Sequence, residues 1–158
     1  MMKCLIVVDY QYDFANPKGA LYVKGGEAIK DIIEDRITFF RKNNWLVAYS
    51  MDWHPQNHIS FKKWGEHCVQ DQKGAEILLN NQPDILIKKG IKQNEDSYSA
   101  FYIAENVESS LKNFLQNNNV DEVEICGLAR NVCVQATFDD AIKLGFKVTI
   151  NEEASKSL

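Results

Sequence analysis

The sequence lacks the segments that would direct a protein to a membrane, a secretory route or a nucleic acid. No apolar run approaches the length needed to cross a bilayer, and the run before Asp9 is too short for a signal peptide. No basic run is present, and the net charge of -4 disfavours binding to phosphates. We therefore expect a cytoplasmic protein that binds neither nucleic acid nor membrane.

Paired cysteines are absent and histidines are few. The four cysteines form no C-x-x-C unit, so we expect reduced thiols rather than a disulfide framework. Only three histidines occur among the 158 residues, and His54, His58 and His67 all fall in one stretch without regular periodicity. A loop of this length inside a domain is usually functional or disordered, so this clustering needs a chemical explanation.

Short apolar runs alternate with amphipathic helical patterns along the chain. These runs are rich in β-branched residues, as buried parallel strands should be, and they span residues 4–9, 45–52, 84–90, 122–128 and 147–150. Strands that alternate with helices predict a three-layer α/β/α domain with a central, mainly parallel sheet, a Rossmann-like topology. No linker or repeat divides the chain, so residues 1–158 are predicted to form a single domain.

Three helices are predicted from periodicity and from capping residues. The first opens at Gly25-Gly26, the second begins at Asn106 as its cap, and the third begins at Asn131 and ends at Gly145. The apolar face of the first helix consists of Ile29, Ile33, Ile37 and Phe40.

Ionisable or nucleophilic side chains follow the ends of four predicted strands. Asp9 follows the first strand, Asp52 and His54 the second, Lys89 the third, and the segment "GLARNVC" with Cys133 the fourth. Ligands of open α/β sheets bind beyond the carboxyl ends of the strands. The sequence therefore predicts an active site at this edge of the sheet.

Asp52 and the histidines that follow the second predicted strand suggest a metal site. Asp52 and His54 are two positions apart, so both point to one side of an extended chain, and His67 could return from the loop to complete the set. Two imidazoles and one carboxylate suit zinc, iron or manganese and leave positions open for water or substrate. Packing of the histidines against neighbouring tryptophans is the alternative. His58 is left open as a fourth ligand, an outer hydrogen-bond partner or a surface residue.

Cys133, Asp9 and Lys89 form a second candidate set. A cysteine at the start of a helix has a lowered pKa, and the unpaired amides there can hold an oxyanion. Asp9 could accept the thiol proton, and Lys89 could stabilise negative charge. The alternatives are a buried structural cysteine, a turn aspartate and a solvated lysine, but three strand ends together supply a nucleophile, a base and an electrostatic partner.

These residues together resemble the nicotinamidase/pyrazinamidase branch of the isochorismatase-like cysteine hydrolase family. "LIVVDYQYDF" resembles the opening strand with its catalytic aspartate, and "IKKG" resembles the strand with the catalytic lysine. "DWHPQNHISF" followed by "WGEHC" resembles the metal segment, "DSYSAF" the substrate loop and "GLARNVCV" the nucleophile turn. The resemblance implies the catalytic residues Asp9, Lys89 and Cys133 and the metal ligands Asp52, His54 and His67.

The resemblance also implies a reaction, namely metal-dependent hydrolysis of nicotinamide to nicotinate and ammonia through a cysteine thioester. The peptide before Ala129 would be cis, the amides of Ala129 and Cys133 would form the oxyanion hole, and one divalent ion, zinc first, would be bound. Because flat rings favour aromatic walls, the predicted pocket residues are Phe14, Trp64 and Tyr98.

The sequence departs from the family in two places. Arg130-Asn131 stands where the family usually has Thr-Asp, and the C-terminal segment is shorter than is typical, which leaves a homo-oligomer open. Two other functions remain as alternatives. One is hydrolysis of another small carboxamide or of a vinyl ether, and the other is a phospho-receiver signalling domain, although Asp9 lacks the adjacent acid that a receiver needs.

Overall fold

A five-stranded parallel sheet forms the centre of the computed structural model, which describes residues 1–158. The strands of the chain are β1 (Met2–Val8), β2 (Leu46–Asp52), β3 (Ile85–Lys89), β4 (Tyr102–Ala104), β5 (Val107–Glu108), β6 (Val120–Leu128) and β7 (Lys147–Lys156). The central sheet has the order β3-β2-β1-β6-β7, and β4 and β5 form a separate antiparallel pair. All five predicted strands are confirmed, and β7 runs further than expected.

Helices cover the sheet, and they are α1 (Tyr12–Ala15), α2 (Lys30–Lys42), α3 (Phe61–Trp64), α4 (Leu111–Asn117) and α5 (Gln135–Lys143). A 3-10 turn, Gly26–Ile29, leads into α2, so the helix predicted after Gly25-Gly26 is confirmed. Gly145, with φ of 88°, follows the end of α5 as expected. None of these helices combines the length and the apolar composition that a bilayer-spanning segment requires.

Both faces of the sheet are buried, as the continuous apolar runs predicted. The central strand β1 alternates between two cores, with Leu5 and Val7 packed in one and Ile6 and Val8 in the other. The first core also contains the apolar face of α2, and the second contains buried residues of α4 and α5. The three-layer α/β/α architecture is therefore confirmed.

The helix cap predicted at Asn106 is wrong. Asn106 lies in the two-residue turn between β4 and β5, and its φ is 58°. Asparagine tolerates this left-handed conformation because its short side chain can bond locally, and the same property favours it at helix caps. The helix begins later, with Ser110 before the first residue of α4.

A glycine sets the distance between β1 and β6 beside the carboxyl edge of the sheet. Gly127 pairs with Val8, its φ is 118°, and a Cβ built on it would stand 2.1 Å from the Val8 carbonyl oxygen. Asp9 directly follows Val8, and the turn with Cys133 follows β6. The missing side chain therefore lets two chemically important segments approach each other.

We predict that Gly127→Ala lowers the free energy of unfolding by about 2–6 kcal/mol, because backbone strain and overpacking each cost roughly 1–3 kcal/mol. Gly145→Ala is the matched control, since Gly145 also has a positive φ of 88° but nothing lies within 4 Å of its Cβ position. That variant should lose only about 1 kcal/mol. Urea denaturation measures both values, and equal losses would contradict the close-approach argument.

Candidate active site

A cleft opens at the carboxyl edge of the sheet and contains about 420 Å³ of empty volume, open solvent at its mouth included. Its walls bring together most of the residues that the sequence singled out, namely Phe14, Asp52, His54, Trp64, His67, Tyr98, Ala129 and Cys133. Asp9 and Lys89 are fully buried and do not line the cleft surface.

Lys89 is the central charged group of the site. Its Nζ donates to Asp9 Oδ2 at 2.8 Å and to the Tyr98 carbonyl oxygen at 2.6 Å. Asp52 Oδ1 lies 3.6 Å from the same nitrogen. Burial disfavours the ammonium, but the negative charge of Asp9 holds the pKa of Lys89 well above its usual value. Of the two adjacent lysines at the end of β3, Lys88 and Lys89, only Lys89 is fully buried.

Asp9 is held on both carboxylate oxygens. Ser50 Oγ donates to Oδ1 at 2.7 Å, while Lys89 occupies Oδ2. Complete burial raises the pKa of Asp9, and the charge of Lys89 opposes this shift. A carboxylate with a raised pKa is a stronger base than an exposed aspartate, which suits proton transfer with a thiol.

Cys133 lies in a π-helical turn, Arg130–Val134, that precedes α5, and 7% of its surface is exposed. Burial raises the pKa of the thiol well above its usual value; the Lys89 charge lowers it, and the Asp9 charge raises it further. The expectation that a helix start lowers this pKa is therefore wrong. Because a raised pKa disfavours the thiolate, a nearby base is needed to make the sulfur a nucleophile. The Leu128–Ala129 peptide is cis, as the resemblance implied.

Asp52, His54 and His67 converge on one point. One ligand atom from each lies within 4.8 Å of the others, and the Nε2 atoms of His54 and His67 lie 3.5 Å and 3.7 Å from Asp52 Oδ2. Burial disfavours charge on Asp52, yet the ammonium of Lys89 holds the pKa of this carboxyl group well below the usual value. The group therefore presents an ionised carboxylate beside two imidazoles.

The backbone fixes the tautomers of both imidazoles. His54 Nδ1 lies 2.9 Å from the Gly90 carbonyl oxygen, and His67 Nδ1 lies 2.7 Å from the Gly65 carbonyl oxygen. A carbonyl only accepts hydrogen bonds, so each Nδ1 carries a proton, and in a neutral ring the lone pair is then on Nε2. This is the arrangement by which proteins orient histidine ligands of metals.

His58 has no free nitrogen for a metal. Its Nε2 donates to the Glu95 carbonyl oxygen at 2.6 Å, and its Nδ1 accepts from Ser60 Oγ at 2.7 Å. The ring stacks on His54, with 3.9 Å between centroids. Burial lowers the pKa of His58, in agreement with a neutral ring. Because His58 is buried, the alternative of a surface residue is wrong, and the geometry makes its ring a packing partner of His54.

The residues present fit a divalent cation. Asp52 Oδ1 and His54 Nε2 are buried without any hydrogen-bond partner, an arrangement that is costly unless another group satisfies them. In addition, two buried carboxylates, Asp9 and Asp52, face only the single ammonium of Lys89. A cation beside Asp52 and the two imidazoles would balance this charge, and N and O donors of this type suit zinc.

The predicted aromatic residues all lie on the cleft wall. The Phe14 ring lies 5.7 Å from that of His67, between centroids. Trp64 Nε1 donates to the Tyr98 hydroxyl at 3.1 Å, which joins these two rings edge to face across the cleft entrance. The three rings therefore stand beside the histidines and the thiol at one opening.

The two positions that depart from the family pattern contact the segment after residue 150. Arg130 Nε donates to Glu152 at 2.6 Å. Asn131 does not cap α5, contrary to expectation, because its side chain bonds the backbone of Leu158. The Leu158 N–H donates to Asn131 Oδ1 at 2.9 Å, and Asn131 Nδ2 donates to the Leu158 carbonyl oxygen at 3.0 Å. Leu158 in turn lines the cleft, so Asn131 helps to build its wall.

Several residues of the site were not found from the sequence. Ser50 supports Asp9, while Gln11 and Asp13 bond the backbone near the metal-ligating candidates. The polar alternation of Asp9, Gln11 and Asp13 in "DYQYD" was a signal that could have found the last two. Two other cleft residues, Leu21 and Leu158, lie outside every motif that the sequence singled out.

Comparison with known proteins identifies the family. The isochorismatase domain matches residues 3–158. The nicotinamidase of Escherichia coli is 33% identical over 94% of this chain and 80% of its own length.

Two solved structures are similar over nearly the whole chain. The pyrazinamidase of Pyrococcus horikoshii in complex with zinc is 38% identical with a TM-score of 0.91, covering 99% of this chain and 87% of that one. PnC1 from L. infantum in complex with nicotinate is 38% identical with a TM-score of 0.92, covering 99% and 81%. A phospho-receiver domain is thereby excluded. The chain belongs to the isochorismatase domain family, in the branch that contains the nicotinamidases and pyrazinamidases.

Proposed function

We propose that the protein hydrolyses nicotinamide to nicotinate and ammonia through a thioester on Cys133. The observation that carries the proposal is the meeting of a buried Asp9–Lys89 ion pair, a cleft thiol and the Asp52, His54 and His67 set at one edge of the sheet. The printed functions of the relatives, nicotinamidase and pyrazinamidase, and the nicotinate held by the L. infantum protein support this substrate.

In the first half of the proposed reaction, Asp9 accepts the proton of the Cys133 thiol. The thiolate attacks the carboxamide carbon, and the amides of Ala129 and Cys133 stabilise the oxyanion. Asp9 then gives its proton to the leaving nitrogen, the C–N bond breaks, and ammonia departs. The ammonium of Lys89 keeps Asp9 in place and stabilises its charged form between these transfers.

In the second half, water attacks the thioester carbon while Asp9 accepts one of its protons. The C–S bond breaks, and the proton on Asp9 returns to the sulfur of Cys133. The acid product then loses the second proton of the water to solvent and leaves as nicotinate. Asp9 therefore acts alternately as base and acid, and the raised pKa of its buried carboxyl group suits both roles.

We propose that Asp52, His54 and His67 hold one divalent ion, with zinc as the first candidate because a similar pyrazinamidase structure contains zinc. When bound, the ion supplies a Lewis acid that can hold a pyridine nitrogen. Phe14, Trp64 and Tyr98 would stack against the ring and exclude water. We further propose that the protein acts in the cytoplasm without nucleic acid or membrane partners, which its net charge of -4 supports.

The proposal predicts that Cys133→Ala lowers ammonia release from nicotinamide by at least about a thousandfold, because the nucleophile is lost. Zinc content, measured by elemental analysis, should remain that of the wild type, since the sulfur is not a ligand. The wild-type protein should also be assayed with pyrazinamide and with a vinyl ether substrate. Full ammonia release by Cys133→Ala would contradict the covalent route, and turnover of only another substrate would contradict nicotinamide.

A second prediction concerns the pH profile of kcat/KM. Asp9 must be ionised to accept the thiol proton, so kcat/KM should fall as the pH drops through the pKa of Asp9. Because burial raises this pKa, the fall should lie above the usual aspartate range. Asp9→Asn should lose about 100-fold or more in kcat/KM and should lack this acid limb. A variant that kept the limb would assign it to another group.

Two matched alanine variants distinguish a proposed metal ligand, His67, from the packing partner of His54, His58. His67→Ala should weaken zinc binding by at least about 100-fold, because loss of a ligand costs more than loss of an outer hydrogen-bond partner. His58→Ala should weaken it by less than about tenfold, since both nitrogens of His58 bond to protein groups. Competition with a chromophoric chelator measures both affinities. The reverse order of effects would place His58 in the metal set.

A further inference from the structure

Gln11 and Asp13 are buried polar residues of the segment after β1, and the proposed reaction gives neither of them a role. We propose that both are positioning residues of the metal site, with Gln11 fixing Asp52 and Asp13 fixing His67. The inference rests on the proposed metal set. In this view, side chains that contact neither the metal nor the substrate fix the positions of the ligands.

Gln11 holds the backbone of Asp52 on both of its polar groups. The Asp52 N–H donates to Gln11 Oε1 at 2.9 Å, and Gln11 Nε2 donates to the Asp52 carbonyl oxygen at 2.7 Å. The same Nε2 donates to the Ala75 carbonyl oxygen at 3.0 Å. The fully buried carboxamide of Gln11 thus forms the two hydrogen bonds that a neighbouring strand would offer to the last residue of β2. A shift of Asp52 would therefore break hydrogen bonds to a side chain that is fully buried.

Asp13 holds the residue that follows His67. Its Oδ2 accepts from the Cys68 N–H at 2.7 Å, and its Oδ1 accepts from the Ala20 N–H at 3.0 Å. Cys68 has a φ of 50°, a left-handed conformation that is uncommon for a residue with a side chain. A charge-assisted hydrogen bond to the carboxylate offsets the cost of this conformation. The orientation of His67 therefore depends on Asp13.

The backbone closes tightly around Asp13. A Cβ on Gly74 would stand 2.1 Å from Asp13 Oδ2, and a Cβ on Gly19 would stand 2.4 Å from the Asp13 carbonyl oxygen. Gly74 directly precedes Ala75, which accepts from Gln11. One short segment of the loop therefore packs against both side chains, and the carboxylate of Asp13 fits there only because Gly74 has no Cβ.

The third candidate ligand is tied to the same network. The His54 N–H donates to the Cys68 carbonyl oxygen at 3.0 Å, and the His54 carbonyl oxygen accepts from the Gln70 N–H at 2.8 Å. A displacement of Cys68 would therefore move His54 as well as His67. Asp13 and Gln11 together determine the positions of all three candidate ligands.

The test uses two near-isosteric variants of the full chain, Gln11→Glu and Asp13→Asn. The first replaces a donor with an oxygen that faces the carbonyls of Asp52 and Ala75. The second places an amide N–H₂ against one of two backbone donors. Each should raise the zinc dissociation constant about 10–100-fold, the usual effect of losing an outer partner of a metal site. Competition with a chromophoric chelator measures this constant without any assay of activity.

Asp84→Asn is the control, because Asp84 also accepts a backbone N–H, that of Val47 at 2.8 Å, but precedes β3 at the opposite end of the sheet. Because the site of this substitution is remote, the zinc affinity should stay within about threefold of the wild type. This limit corresponds to about 0.6 kcal/mol. Alkylation of Cys133 by iodoacetamide in the metal-free proteins provides a second readout. Its rate should be the same in Gln11→Glu, Asp13→Asn and the wild type.

Zinc affinities of both folded variants close to that of the wild type would overturn the positioning roles and leave the metal site intact. An equal loss in Asp84→Asn, or faster alkylation in the two variants, would also overturn them, because it would indicate general loosening. If the wild type itself bound no zinc, the metal site would fail and this inference with it. Two independent variants are used so that a folding failure of one leaves the other to decide.

Discussion

The ammonium of Lys89 is the interaction on which the site depends. A fully buried charge is costly unless partners compensate it, and Lys89 has two carboxylates and a carbonyl oxygen around it. Without this cation, Asp9 and Asp52 would be two buried negative charges with only polar partners. Lys89 therefore joins the part of the site with acid–base chemistry to the part with metal-ligating side chains, and it also ties the Tyr98 loop to the sheet.

The register of the parallel sheet delivers these groups to one place. Val8 pairs with Ser50 on one side and with Gly127 on the other, and Asp52 pairs with Lys89. Each strand therefore ends at nearly the same level, and the residues at or just beyond the ends meet. A shift of one residue in any pair would turn a site residue toward the opposite face. The loop after β2 then folds back through backbone bonds near Cys68 and adds His67.

The sequence was sufficient to predict the five strands, the three-layer architecture and the grouping of the candidate site residues. These features follow from local patterns, namely β-branched apolar runs and chemically distinctive residues at their ends. The wrong predictions concern competition between local and distant partners. Asn106 and Asn131 both suit a helix cap, but a hairpin turn uses the first and the Leu158 backbone uses the second. Likewise, the helix start beside Cys133 predicted a lowered pKa for its thiol, whereas burial raises this pKa.

The burial of Cys133 has a consequence for the lifetime of the protein. Oxidation by peroxide proceeds through the thiolate and depends on exposure. Burial disfavours the thiolate of Cys133 and leaves little of its surface open to solvent, while the other three thiols are completely buried. Between turnovers the sulfur should therefore resist conversion to sulfenic and sulfinic acids. The same burial that makes the sulfur dependent on a neighbouring base therefore shields it from oxidative damage.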